Sequence, residues 1–275
     1  MDYLYSQDDY PPFVFTVKTD FPGVSSSTQF KVPVHEIGSY ACLVDWGDGS
    51  TDYITSFSDS RWTHTYSAAG TYQISIKGLF SNFRFANGGD CQKVRSVENW
   101  GCFKSPNTSV FHGCINMEIT AKDKFDFGGA TSPFEWFRGC STVTSIPGIK
   151  NWDLSRFTGL NRTFRGMTNL NEPDLAYLDT STINLMNSTF QACTNLDVNF
   201  GSWNVSNLTS AYNMFQGTTL STANYDALLI GWAAQNVQTG VFFNGGNATF
   251  SLAAETAKRH LVNEYLWTII DGGPA

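Results

Sequence analysis

A five-fold internal repeat constrains this chain more than any other feature. Phe111-His112-Gly113-Cys114, Phe137-Arg138-Gly139-Cys140, Phe164-Arg165-Gly166-Met167, Phe190-Gln191-Ala192-Cys193 and Phe215-Gln216-Gly217-Thr218 recur at steps of 26, 27, 26 and 25 residues. Twelve residues before the Phe stands Phe125, Trp152, Leu178 or Trp203, each followed by Asp126, Asp153, Asp179 or Asn204. Six residues after it comes Met117, Val143, Leu170 or Leu196. A unit of ~26 residues cannot bury such side chains alone, so neighbouring units must stack and share one core. Phe111, Phe137, Phe164, Phe190 and Phe215 are the expected filling. Cys114, Cys140 and Cys193 share a column with Met167 and Thr218, a mixture that suits a small, mostly apolar packing position better than a metal ligand. The small residue two places after each Phe is expected to let adjoining coils approach closely.

Composition narrows the rest. Charged residues and aromatics are each 15% of the 275 residues, which excludes a highly charged disordered chain. The net charge of −7 argues against binding a phosphate backbone, so no nucleic-acid partner is expected. Six cysteines are too dilute for a disulfide-stapled scaffold, and four scattered His with no CxxC give no zinc pattern. No apolar run approaches the ~20 residues of a membrane helix. The N-terminus, MDYLYSQDDYPPF, has no basic n-region and no apolar core, and reads as no secretory leader.

The N-terminal third has short alternating runs at 13–19, 29–34 and 71–76, separated by Gly, Pro, Ser and Asp clusters, which predict strands of a small sandwich. Among them lies Val44-Asp45-Trp46-Gly47-Asp48-Gly49-Ser50, followed by Thr63-His64-Thr65-Tyr66 and Ala69-Gly70-Thr71-Tyr72. This pattern resembles the polycystic-kidney-disease (PKD) domain, which implies an immunoglobulin-like spacing or binding module. The Phe-x-x-Cys-x-x-Leu element resembles the BspA-type leucine-rich repeat, and Ser96–Gly101 leading into Phe111 is similar to that family's junction. The resemblance implies a multidomain α+β fold: a PKD-like β-sandwich with an N-terminal extension at 1–88, a short leucine-rich-repeat solenoid at 89–218, and an α/β C-terminal cap at 219–275. In the last segment, Tyr225, Leu228, Leu229 and Trp232 mark one face of a helix that Ser221 or Thr222 would cap. A second helix is expected from Ser251 to about Tyr265, and strands near 240–247 and 267–273.

Chemistry is harder to find. No nucleophile elbow, zincin, phosphate-loop or dinucleotide motif is present. Asp45 and Asp48 could be read as a calcium pair, and Asp153 and Asp179 as a carboxylate pair for glycoside hydrolysis. Turn-forming roles account for all four more simply. Six N-x-S/T sequons, at Asn107, Asn161, Asn187, Asn204, Asn207 and Asn247, are explained by side chains bonding coil backbones. The expectation is therefore a protein that is not an enzyme and needs no cofactor or metal. One column could bind: His112, Arg138, Arg165, Gln191 and Gln216 follow the repeat Phe and would form a solvated polar ridge. Its two Arg suit carboxylate- or sulfate-bearing glycans. The BspA-type resemblance implies surface adhesion. Together with the leader-free N-terminus, it favours a phage virion component, in capsid decoration or in the tail, exposed on the virion surface. Its partners would be other virion proteins or host-surface glycans and proteins, and a homo-oligomer is compatible with this role. The alternatives are a bacterial cell-surface adhesin and an accessory module of a polysaccharide-degrading system.

Overall fold

A computed structural model describes residues 11–275. The leader-free reading rests mainly on residues 1–10, which lie outside the described residues. The chain divides into two compact units, the first ending at Ala130 and the second spanning Thr131–Ala275.

In the first unit, alternation builds a sheet. β1 (Phe13–Lys18) buries Phe13, Phe15 and Val17 and turns Val14, Thr16 and Lys18 outward, the period-2 pattern of a half-buried strand. β3 (Tyr40–Asp45), β4 (Thr51–Ile54), β6 (Thr71–Phe80), β7 (Val94–Asn99) and β8 (Glu118–Ile119) complete a six-stranded sheet of order β4-β3-β6-β1-β7-β8. β2 (Gln29–Lys31) and β5 (Thr63–Thr65) pair separately. The rings of Phe13, Phe15, Phe80, Phe83 and Phe103 fill the core, with Phe13 4.8 Å from Phe103 and 4.9 Å from Phe15. Burying each contributes about 1.5–3 kcal/mol. Trp46 is fully buried, stacked on His64 at 4.6 Å, and the Tyr66 hydroxyl donates to its carbonyl.

The expected PKD-like sandwich is corrected here. Two comparable sheets packed face to face would be needed. The structure instead has one wide sheet that runs on through Val94–Asn99 to a parallel edge strand at Glu118–Ile119, beside a pair of three-residue strands.

The second unit is turns, short sheets and two helices. α1 (Thr222–Ala233) is capped by Ser221 and buries Tyr225, Leu228, Leu229 and Trp232, the face that the spacing picks out. α2 (Leu252–Asn263) is capped by Ser251 and ends two residues before Tyr265. β9 (Ser210–Ala211), β10 (Phe242–Asn244) and β11 (Thr268–Ile270) form a parallel sheet of order β11-β10-β9.

The expected leucine-rich-repeat solenoid is also absent. Such a coil needs an extended strand in every repeat, yet among described residues 131–218 the strand content is Ser210–Ala211 and isolated bridges at Gly159, Leu185 and Ser210. The backbone explains this. Glu135, Arg162, Ser188 and Asn213, two residues before the repeat Phe, have φ of 55–58°. Gly139, Gly166, Ala192 and Gly217, two residues after it, have φ of 60–74°. A strand cannot run through left-handed residues at both ends of a five-residue stretch. The small-residue column follows the close-approach expectation at Gly113, where a Cβ would lie 2.4 Å from Asn87 Oδ1 and 2.9 Å from Asn87 Cα, but not in the second unit. A Cβ on Gly139 would touch nothing, and on Gly166 or Gly217 it would make ordinary contacts at 3.7 Å. Positive φ, not crowding, favours glycine there.

The turns are nonetheless bonded at the repeat spacing. The N–H groups of Glu135, Phe137 and Gly139 donate to the carbonyls of Asn161, Thr163 and Arg165, and Arg162, Phe164 and Gly166 to Asn187, Thr189 and Gln191. Ser188, Phe190 and Ala192 continue to Tyr212, Met214 and Gln216, all nine bonds measuring 2.8–3.4 Å. Phe137, Phe164, Phe190 and Phe215 lie nearly parallel at 5.4–6.4 Å and are fully buried or nearly so. Cys193 Sγ donates to the Phe164 carbonyl and Thr218 Oγ1 to that of Phe190, so two members of this column bond back to the preceding turn, while Met167 fills the place by packing alone.

Candidate functional site

Three-residue spacing around each left-handed turn brings the residues before and after the repeat Phe to one side. In the second unit this side opens into a cleft of about 590 Å³ lined by Phe134, Asn161, Arg162, Arg165, Asn187, Ser188, Gln191, Ser210, Tyr212 and Asn213. Two members of the expected ridge, Arg165 and Gln191, line it. Arg138 lies beside it, pairing with Glu135 at 2.5 Å, and Gln216 accepts from Gln191 Nε2 at 2.6 Å. His112 belongs to the first unit, where its carbonyl accepts from Asn87 N–H.

Sequence reasoning missed Arg162, Asn161, Asn187, Ser188 and Asn213. Arg162 pairs with Glu135 at 3.3 Å and lies over the Phe134 ring at 5.6 Å. Asn161 Oδ1 accepts the Asn187 backbone N–H, and Asn187 Oδ1 accepts Ser210 Oγ and the Tyr212 backbone N–H. Because a backbone N–H can only donate, these bonds fix both amides with their oxygens inward to the chain, and among the described residues their N–H₂ groups have no hydrogen-bond partner. Tyr212 is half exposed and rests on Phe242 at 5.2 Å. Partial burial, then the Arg138 and Arg162 charges, hold the Arg165 pKa below its ordinary value against the pull of Glu135.

The other candidate groups are spent on structure. Asp45 Oδ1 accepts Gly47 N–H, and Asp48 accepts Ser50 N–H, Ser50 Oγ and His64 Nε2. Asp153 accepts from Ser155 and Asp179 from Ser181, each closing its own turn. All six cysteines are buried, and burial pushes the Cys193 thiol up to about 12. Among the described residues, no three His, Cys, Asp or Glu side chains converge as a metal site. A Ser-Lys-Asp arrangement does exist in the first unit: Lys93 Nζ lies 2.7 Å from Ser25 Oγ, which donates to Asp90 at 2.6 Å. Lys93 also donates to the carbonyls of Ser25, Ser26 and Gln29. Burial lowers the Lys93 pKa, with Asp90 and Asp20 opposing it, yet the acceptors around Nζ take up its N–H groups, so this lysine is placed as a hydrogen-bond donor and not as a base toward Ser25.

Residues 131–251 match a family described as Mycoplasma protein of unknown function, DUF285. The match begins where the second compact unit begins and spans a little under half of the chain, with the whole cleft inside it. It corrects the sequence resemblance: the matched family is not the BspA-type leucine-rich repeat, and no PKD domain is matched. No curated protein and no solved structure matches the chain. No helix among the described residues is long and apolar enough to cross a membrane.

Proposed function

We propose that this chain is a non-catalytic, surface-displayed structural or adhesion protein whose second unit holds a glycan. The observation that carries this reading is the open cleft: a firm floor of stacked turns, presenting arginine, amide and hydroxyl groups beside the half-exposed ring of Tyr212. Sugars are held by such combinations of planar hydrogen-bonding groups and aromatic faces. The carboxylates that could act as acid and base are engaged in their own turns, which supports binding over hydrolysis. The display surface is a virion or a bacterial cell. The first would place capsid, portal or tail genes beside this one, and the family's mycoplasma description adds weight to the second.

A glycan array probed with the intact chain tests the reading. The wild-type chain should retain a defined set of glycans, and the Arg138→Ala/Arg165→Ala variant should lose them while staying folded. An array with no retained glycan, or release of reducing ends from a bound polysaccharide, would overturn it.

A further inference from the structure

Three guanidinium groups, those of Arg138, Arg162 and Arg165, share one carboxylate, that of Glu135. Arg138 and Arg162 take it, leaving two positive charges in excess. Arg165 is in no ion pair and donates no side-chain hydrogen bond among the described residues. It lines the cleft, half-buried, with no ion partner of its own among the described residues and only the shared Glu135 carboxylate to offset its charge. Beside it, Asn161 and Asn187 accept backbone N–H groups through their Oδ1 atoms, and among the described residues their amide N–H₂ groups are in no hydrogen bond. The cleft is therefore rich in donors and positively charged, within a chain whose net charge is −7. Long-range attraction cannot bring an anion to such a chain, so any anion it holds is held locally.

We infer that Arg165, with the Asn161 and Asn187 amides, is the receptor for the single oxyanion of an acidic sugar, its carboxylate or sulfate ester. The inference rests on the glycan-binding reading above and narrows it. A guanidinium matches either oxyanion in two parallel hydrogen bonds, and fixed amide donors add to them without charge repulsion. Gln191, whose Nε2 is engaged with Gln216, has its Oε1 left to accept a sugar hydroxyl.

The test is isothermal calorimetry on the intact chain with glucuronate, a sulfated hexose, glucose, and inorganic sulfate and phosphate. Acidic sugars should bind at least about tenfold more tightly than glucose and than the inorganic ions. Arg165→Gln should remove that preference. Asn187→Asp should remove it too, because it keeps the acceptor that Tyr212 needs and turns the donor into a charge. The Arg165→Gln chain should melt no lower than wild type, since it relieves repulsion from Arg138 and Arg162. If neutral sugars bind and acidic ones are not preferred, the inference falls and the glycan reading stands. If no sugar binds, both fall. Inorganic ions binding as tightly as acidic sugars would sink the saccharide part, and an Arg165→Gln chain that binds like wild type would sink the receptor.

Discussion

Replacing Lys93 by methionine gives the sharpest test of how the first unit is held together. Lys93 and Asp90 are both fully buried. The three N–H bonds of the ammonium are shared among four acceptors, Ser25 O at 3.1 Å, Ser25 Oγ at 2.7 Å, Ser26 O at 2.7 Å and Gln29 O at 2.8 Å. Asp90 accepts from Ser25 N–H at 3.0 Å, Ser25 Oγ at 2.6 Å and Lys31 N–H at 2.8 Å. The segment from Ser25 to Lys31 thus wraps around two opposite charges bridged by one hydroxyl. Gly23 lets it close: a Cβ there would lie 2.4 Å from Asp90 Oδ1. Lys93→Met keeps the apolar stem and removes the charge, leaving three buried carbonyls and an unbalanced carboxylate. Such a loss costs about 3–5 kcal/mol. Adding Asp90→Asn should recover part of it, a coupling of about 1–3 kcal/mol, because the unbalanced charge disappears. Urea unfolding, with amide exchange at Ser25 and Lys31, measures both. A Lys93→Met chain within about 1 kcal/mol of wild type, with unchanged protection at those amides, would refute the argument.

Three further outcomes follow from the same structure. Phe164→Ala should cost about 3–5 kcal/mol in chemical denaturation, since it opens a hole between the Phe137 and Phe190 rings at 6.4 and 5.4 Å. Ala192→Gly should raise stability by about 0.5 kcal/mol, because a left-handed alanine is strained and glycine's greater unfolded freedom only partly offsets the relief; a loss of stability would mean that packing governs the column. Acid should weaken the first unit. Burial raises the Asp48 pKa, but bonds from the Ser50 hydroxyl and His64, and from Ser50 N–H, outweigh it and hold it at about 2. A carboxyl depressed in the folded state contributes stability above its unfolded pKa, and that contribution disappears as pH falls from about 4 to about 2. Asp48→Asn should flatten this part of the pH–stability curve, and an equally steep curve in the variant would count against the assignment.

Spacing was legible and conformation was not. The Phe column, the Leu and Met column and the buried face of α1 follow from counting residues, because burial repeats wherever the backbone repeats. Counting does not reveal φ. Glu135, Arg162, Ser188 and Asn213 share a left-handed conformation but no chemistry, so no residue type marks their column, and nothing in the spacing distinguishes these turns from an extended repeat. The same blindness hid half of the cleft. Arg138 and Arg165 occupy equivalent places in two repeats, yet Glu135 neutralises the first and leaves the second free of an ion partner among the described residues. That distinction depends on which way a side chain leaves a tight turn. The wide sheet is not legible from the sandwich pattern because its last two strands, Val94–Asn99 and Glu118–Ile119, come after the segment that the pattern covers.

The nine bonds that tie one turn to the next all run the same way: each turn offers N–H groups forward and carbonyls backward. Any middle module therefore ends on a surface complementary to the one with which it begins. A gene could gain or lose whole copies of this unit by duplication or unequal exchange, and the joint would still close. The length of the cleft floor would then be free to vary between descendants, while the charge or amide carried by each copy could diverge without disturbing its neighbours' seams.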